Sequence, residues 1–77
     1  MRTKLVHEIK QGMLVVRIRR TSTVGGQHVL SIHRRYRNGA FWQESTRAAR
    51  EDIPFIRFLL DEAHTWIIQQ EDGRSQS

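Results

Sequence analysis

The sequence predicts an α+β fold, in which a four-stranded antiparallel meander sheet is followed by one C-terminal helix packed on one face. Apolar and polar residues alternate in four stretches of residues 1–46, which is typical of strands with one buried face. Turn-forming glycines separate these stretches, which favours hairpin connections. After residue 52 the apolar spacing becomes that of an amphipathic helix.

The first two strands are predicted over residues 4–10 and 13–21. One face of the first strand collects Leu5, His7 and Ile9. One face of the second strand collects Leu14, Val16 and Ile18. The second strand is also rich in β-branched residues, which favour the pleated conformation. Gly12 lies between the two strands and permits a tight turn.

The third and fourth strands are predicted over residues 28–36 and 41–46, after a glycine-containing loop at residues 22–27. Leu30, Ile32 and Tyr36 share one face of the third strand. Asn38-Gly39 is the preferred pair for a two-residue type I′ turn into the fourth strand. The setting of this turn decides whether Phe41 or Trp42 shares a face with the arginines of the neighbouring strands.

Asp52 is a candidate N-cap for the helix, and Pro54 suits its first turn. The apolar stripe that should pack on the sheet consists of Ile56, Leu59, Leu60, Ala63, Trp66 and Ile67. The helix is expected to end near residue 70, which gives one ββββα domain over residues 1–70 and a disordered tail over residues 71–77. Phe55 and Phe58 lie beyond the stripe, where a dimer could bury them.

The 77-residue chain carries 13 Lys and Arg against 8 Asp and Glu, a formal net charge of +5, and no cysteine. Residues 1–50 hold 11 cations and 2 carboxylates, and residues 51–77 hold 2 cations and 6 carboxylates. A cationic layer of this kind attracts phosphate polymers. The chain has no apolar run long enough to cross a bilayer and no signal-like N-terminus, so we expect a cytoplasmic protein.

One helix can cover only one face of the predicted sheet, and we call the other face the open face. On this face strand arginines would contact phosphates, and an aromatic side chain would stack on a base. The predicted nucleic-acid-binding residues are Arg17, Arg19, His33, Arg35, Arg37, Phe41 and Trp42. The alternative is that a homodimer buries the open face and pairs its arginines with Glu8, Glu44 or helix carboxylates.

Two arginines, Arg20 and Arg34, alternate onto the helix side of the sheet. We interpret them as structural residues paired with Asp61 or Glu62. The four histidines lack metal-ligand spacing, and Ser31 with His33 lacks a supporting acid. The sequence therefore predicts no catalytic residues, no metal and no cofactor, and we expect that the protein is not an enzyme.

The order of four strands and one helix resembles that of Pur-alpha repeats, Whirly proteins and coactivators of the positive-cofactor-4 type. This architectural resemblance implies single-stranded nucleic-acid binding and association of subunits. The residues themselves resemble a family of short uncharacterised bacterial proteins. They match at Val6-His7-Glu8-Ile9, Gly12, Arg35-Tyr36-Arg37, Trp42, Ser45-Thr46, Arg50-Glu51-Asp52, Asp61 and Ala63-His64-Thr65-Trp66-Ile67. Ala48-Ala49 departs from the Phe-Gly-like pair expected there.

From these observations we expect a small protein that binds single-stranded DNA or RNA on a basic sheet face with little sequence specificity, as a homodimer. The alternative is a non-catalytic interaction module, whose open face forms a homodimer or binds an acidic protein.

Overall fold

The computed structural model describes residues 2–22 and 25–75, and the side chains of residues 2–22 and 25–72. It confirms the predicted fold class: four antiparallel strands form one sheet in the order β1-β2-β3-β4, and one C-terminal helix follows. The elements are β1 (Thr3–Gln11), β2 (Leu14–Thr21), β3 (His28–Asn38), β4 (Phe41–Ser45) and α1 (Ile53–Ser75). Thr23 and Val24, in the predicted loop between β2 and β3, lie outside the described residues.

The core lies between α1 and the centre of the sheet. Its buried members are Leu14, Val16, Ile18, Leu59 and Ala63. Partly buried side chains of Val6, Ile9, Ile32, Ile56, Trp66 and Ile67 surround them. The predicted helix stripe therefore packs as expected, although Leu60 stays at its margin with 37% of its surface exposed.

A β-bulge changes the predicted faces of β1. The register shifts between Leu5, which pairs with Arg19, and His7, which pairs with Ile18. Val6 is the extra residue, and its side chain packs against the core. Leu5 is consequently turned to the open face, so the prediction that it shares a face with His7 was wrong. A period-two pattern cannot anticipate a bulge, because one added residue reverses the alternation.

Two-residue turns close the first and third hairpins, at Gly12-Met13 and Gly39-Ala40. Both glycines have positive φ, 59° and 64°, whereas every described non-glycine residue has negative φ. A glycine followed by a residue of negative φ is typical of type II′, whereas type I′ needs two positive values. The predicted type I′ turn at Asn38-Gly39 was therefore wrong by one position and in type.

A single 3₁₀ turn at Arg50–Asp52 precedes α1. The Ala49 N–H donates to Asp52 Oδ2 at 3.0 Å, and Arg34 Nε lies 3.2 Å from the same oxygen. Asp52 is the third residue of the 3₁₀ turn and stands directly before α1, and its carboxylate caps Ala49, the N-cap residue of that turn. Arg34 pairs with this carboxylate and not with the predicted Asp61 or Glu62, because the residues just before α1 lie over Arg34.

The helix continues beyond the expected end at residue 70 and runs through Ser75, which differs from the disordered tail expected over residues 71–75. Glu71 Oε2 lies 3.4 Å from His28 Nδ1 at the start of β3. Gln76 and Ser77, also in the expected tail, lie outside the described residues. Within the described ranges no helix is long and apolar enough to span a membrane.

The buried Leu59 should be the side chain of α1 on which stability depends most. We expect Leu59→Ala to lower the free energy of unfolding by about 2–5 kcal/mol, because it leaves a cavity against β2. Ile68→Ala, at a position 41% exposed on the same helix, should cost about 1 kcal/mol or less. Urea unfolding followed by circular dichroism measures both, and equal losses would contradict this view of the core.

Candidate nucleic-acid interface

Six of the seven predicted binding residues share the open face of the sheet. The strand register places there Arg17, Arg19, His33, Arg35, Arg37 and Trp42. Phe41 pairs with Asn38 and lies on the opposite face, with 75% of its surface exposed. The register thus decides the alternative that the sequence left open in favour of Trp42.

Ion pairs cross the middle of the open face. The Arg17 guanidinium donates two hydrogen bonds to the Glu44 carboxylate, through Nη1 at 2.7 Å and through Nη2. Its Nε donates to Glu8 Oε2 at 2.9 Å. Lys10 Nζ lies 3.4 Å from the other oxygen of Glu8. The charges of two cations and two carboxylates, which lie on β1, β2 and β4, therefore cancel in the middle of the open face.

These contacts shift the acid–base equilibria of the groups that make them. The hydrogen bonds from Arg17 are the main reason that the pKa values of Glu8 and Glu44 lie below their ordinary value. The same bonds, first those that Arg17 donates to Glu44 and then the one to Glu8, raise the pKa of Arg17. Arg17 is thus held in place by two carboxylates and is poorly available to a phosphate.

The centre of the open face is packed as well as neutralised. Val15 faces this side, opposite Lys10 and His33, yet it is fully buried. His33 Nε2 lies 2.9 Å from Ser31 Oγ, so the predicted ligand contact of this histidine competes with an internal hydrogen bond. The middle of the face therefore acts mainly as a second, small core layer.

The β3–β4 hairpin extends past the first residue of β2 as a two-stranded arm, residues 35–44. Leu14 at the start of β2 pairs with Arg34, and the Arg35 N–H still donates to Met13 O at 2.7 Å. Past this point β3 has only β4 as a neighbour. A two-stranded ribbon presents both faces to solvent, so its side chains are accessible to a ligand.

The open side of the arm carries an aromatic ring between two arginines. Trp42 is paired across the strands with Arg37, whose Cζ lies 5.8 Å from the ring centroid. The Cζ atom of Arg35 lies 5.3 Å from the same centroid. Trp42 remains 49% exposed. The guanidinium groups are thus placed beside an indole ring that a planar ligand can reach.

Three cations of the open face have no carboxylate within salt-bridge distance in the described part of the chain. They are Arg19, Arg35 and Arg37. Arg37 Nε donates to the Gly39 carbonyl at 3.1 Å, which orients its side chain along the arm. The positive potential of the face is therefore concentrated at the arm, with a smaller contribution from Arg19 near the other end of β2.

The opposite side of the arm is uncharged. Tyr36 Oη donates to Gln43 Oε1 at 2.7 Å, and Phe41 lies next to this pair near the tip. The two sides of the arm therefore differ in chemistry, with arginine and indole on one and amide, phenol and phenyl groups on the other.

Other parts of the molecule offer less to a polyanion. A groove of about 640 Å³ between β1 and α1 is lined by Glu8, Asp61 and Glu62 together with aromatic side chains. On its floor His7 stacks on Trp66, with ring centroids 4.5 Å apart and an interplanar angle of 2°. Within the described residues no group of three metal-ligating side chains occurs.

Sequence reasoning assigned Glu8 and Glu44 only to a possible dimer contact and missed their internal role. A signal was available, because these are the only two acidic residues among residues 1–50 and both alternate onto the face of Arg17. The pairing itself depends on the diagonal approach of β4 to β2, which the sequence does not show.

No protein-family model, no curated protein and no solved structure matches this chain.

The network around Arg17 predicts a specific loss of stability in acid. Because folding lowers the pKa values of Glu8 and Glu44, their stabilising effect is present above the unfolded-state value and is lost as the pH falls through the lowered native values. We expect the urea midpoint to fall between about pH 6 and about pH 3, and to fall less in Arg17→Met. An identical pH dependence in both proteins would contradict the network.

Proposed function

We propose that this protein binds single-stranded nucleic acid, with little base specificity, on the open side of the arm. The observation that carries the proposal is the exposed Trp42 ring flanked by Arg35 and Arg37, on a ribbon that projects past the rest of the sheet. In this arrangement the indole stacks on a base and the guanidinium groups contact the adjacent phosphates.

A single strand fits this site better than a duplex does. Bases in a duplex are already stacked on their neighbours, whereas those of a single strand are free to stack on an aromatic side chain. Stacking uses the π-face that every base has, so it discriminates little among sequences. The arm has room for only one aromatic contact on this side, which favours a small footprint.

Charge supports the same conclusion. The residues before Glu51 have nine more cations than carboxylates, and the internal ion pairs leave Arg19, Arg35 and Arg37 available. A guanidinium binds phosphate through a planar fork and also stacks, which an ammonium group cannot do. We leave Arg17 and His33 out of the proposed contact set because internal partners hold them, and Phe41 because it lies on the other side.

A second candidate function, binding of an acidic protein on the open face, is favoured by a different observation. Leu5 and Val29 flank Arg19 in the register of the sheet, and they are 47% and 42% exposed. Apolar side chains beside an unpaired arginine suit a protein surface as well as a polyanion. On this hypothesis nucleic-acid binding would be generic and would not depend on Trp42.

The test is a fluorescence-anisotropy titration of a labelled oligothymidylate, at about 50 and about 200 mM salt, with a duplex competitor. Trp42→Ala should weaken binding by about 1–3 kcal/mol with an unchanged salt slope, because it removes stacking and no charge. Arg37→Met should reduce the slope of log affinity against log salt by about 0.7, the value for one phosphate contact on a single strand.

Arg57→Met is the matched control, since it removes one exposed cation from α1, away from the open face. It should leave both affinity and slope close to those of the unmodified protein. Equal effects of Arg37→Met and Arg57→Met, or binding indifferent to Trp42 and to strandedness, would reject the arm as the site and favour the second candidate.

A further inference from the structure

The molecule is thin and exposes more surface than a monomer of its mass should. Its principal extents are 48 × 27 × 16 Å, and its Cα radius of gyration is 14.4 Å, against about 11.5 Å for a compact chain of this length. Its accessible surface is 6059 Å², whereas a compact monomer of 9.1 kDa exposes about 4,900 Å². The surplus exceeds the roughly 800 Å² that one subunit contributes to a typical stable interface.

Part of β3 is an unpaired sheet edge. β4 pairs only with Arg34–Asn38, so residues 28–33 have no neighbour on that side among the described residues. The Thr21 N–H donates to Gln27 O, and the Arg35 N–H donates to Met13 O. By the β2–β3 register, the odd-numbered residues of β3 therefore direct their backbone groups towards β2. In an antiparallel ladder the even-numbered residues of β3 must then direct their backbone groups outward. These residues are His28, Leu30 and Ile32, and no described backbone group bonds to them there.

The other edge of the sheet, in β1, is protected against pairing. It has the bulge at Val6 and the charged side chains of Lys4, Glu8 and Lys10. The free segment of β3, residues 28–33, contains two histidines but no lysine, arginine, aspartate, glutamate, proline or glycine, and no bulge. An edge without such protection is a template for another strand.

Apolar side chains border this free edge. Leu30 is 38% exposed on the helix side, and Val29 is 42% exposed on the open face. The contact of Glu71 with His28 shows which side of α1 faces β3. Helical spacing brings Leu60 and the partly buried Ile67 to the same flank.

We propose that the free edge of β3 pairs antiparallel with the same edge of a second copy of this chain. A two-fold axis at Leu30 opposes each Leu30 to Leu30 of the partner subunit and each His28 to Ile32 of the partner subunit. The three residue pairs exchange six backbone hydrogen bonds and form one continuous eight-stranded sheet. The two Leu30 side chains meet on the helix side, between the flanks that carry Leu60 and Ile67.

This edge suits a copy of itself better than the groove beside β1 does. In a two-fold pairing each surface meets its own equivalent, so a groove that contains Glu8, Asp61 and Glu62 would oppose carboxylates to carboxylates. The β3 edge is apolar and carries complementary backbone groups. The dimer is independent of the proposed nucleic-acid contact, because it leaves the open side of both arms uncovered.

The first experiment is sedimentation equilibrium of the full chain across a concentration series. The unmodified protein should reach twice the chain mass of 9.1 kDa. Leu30→Lys places a charge at the two-fold axis and should return the mass to that of one chain. Leu5→Lys is the matched control, since it alters an exposed leucine of the protected β1 edge, and it should remain dimeric.

Amide hydrogen exchange of the unmodified protein tests the same inference without any variant. The N–H groups of Leu30 and Ile32 should exchange slowly at concentrations that give the dimer and faster on dilution, while those facing β2 change little. A monomer at all concentrations, fast exchange at these two amides in a dimer, or a dimer that survives Leu30→Lys and is lost in Phe58→Glu would overturn the proposal. Oligonucleotide titration of the Leu30→Lys monomer separates this outcome from failure of the proposed function.

Discussion

Leu59 and Ala63 of α1 pack against Val16 and Ile18 of β2, and the rest of the architecture depends on this contact. Because a single helix covers a single face, it shields β1 and β2 on one side, and β2 lies under it. The bulge at Val6 tightens this arrangement: it turns Val6 towards the core and brings His7 under the Trp66 ring. Two successive side chains of β1, Val6 and His7, therefore contact the helix side, whereas a regular strand would direct only one of them there.

The second face of the sheet is stabilised by different means. Val15 is fully buried there without a covering element, and the carboxylates of Glu8 and Glu44 hold Arg17 by hydrogen bonds across the strands. Hydrogen-bonded arginine contributes its apolar stem as well as its charge to such a surface. The consequence for function is that positive charge is removed from the middle of the face and remains at the arm.

The arm and the free edge of β3 follow from two mismatches in strand length, because both neighbours of β3 are shorter than it is. β4 is five residues long and β3 is eleven, and their pairing begins at the turn. The distal half of β3 projects past β2 because β2 begins at Leu14, opposite Arg34, and β4 is its only described neighbour there. The proximal half has β2 as its only described neighbour because β4 ends at Ser45, opposite Arg34. One half presents Trp42 and two arginines, and the other presents unpaired backbone groups. The short β4 thus leaves the free edge, and the start of β2 opposite Arg34 leaves the arm.

The sequence by itself determined the strand order, the helix stripe and the cationic character of the first fifty residues, because these are written in periodicity and composition. It also placed Arg17, Arg19 and Arg35 on one face, but it left open whether Phe41 or Trp42 joins them, and the register of β4 decided in favour of Trp42. Only the tertiary structure decided the bulge at Val6, the partners of Arg17 and the carboxylate that Arg34 meets. Each of these depends on contacts between elements that lie diagonally across the sheet or meet at their ends. Such contacts join residues far apart in the chain and produce no local sequence pattern.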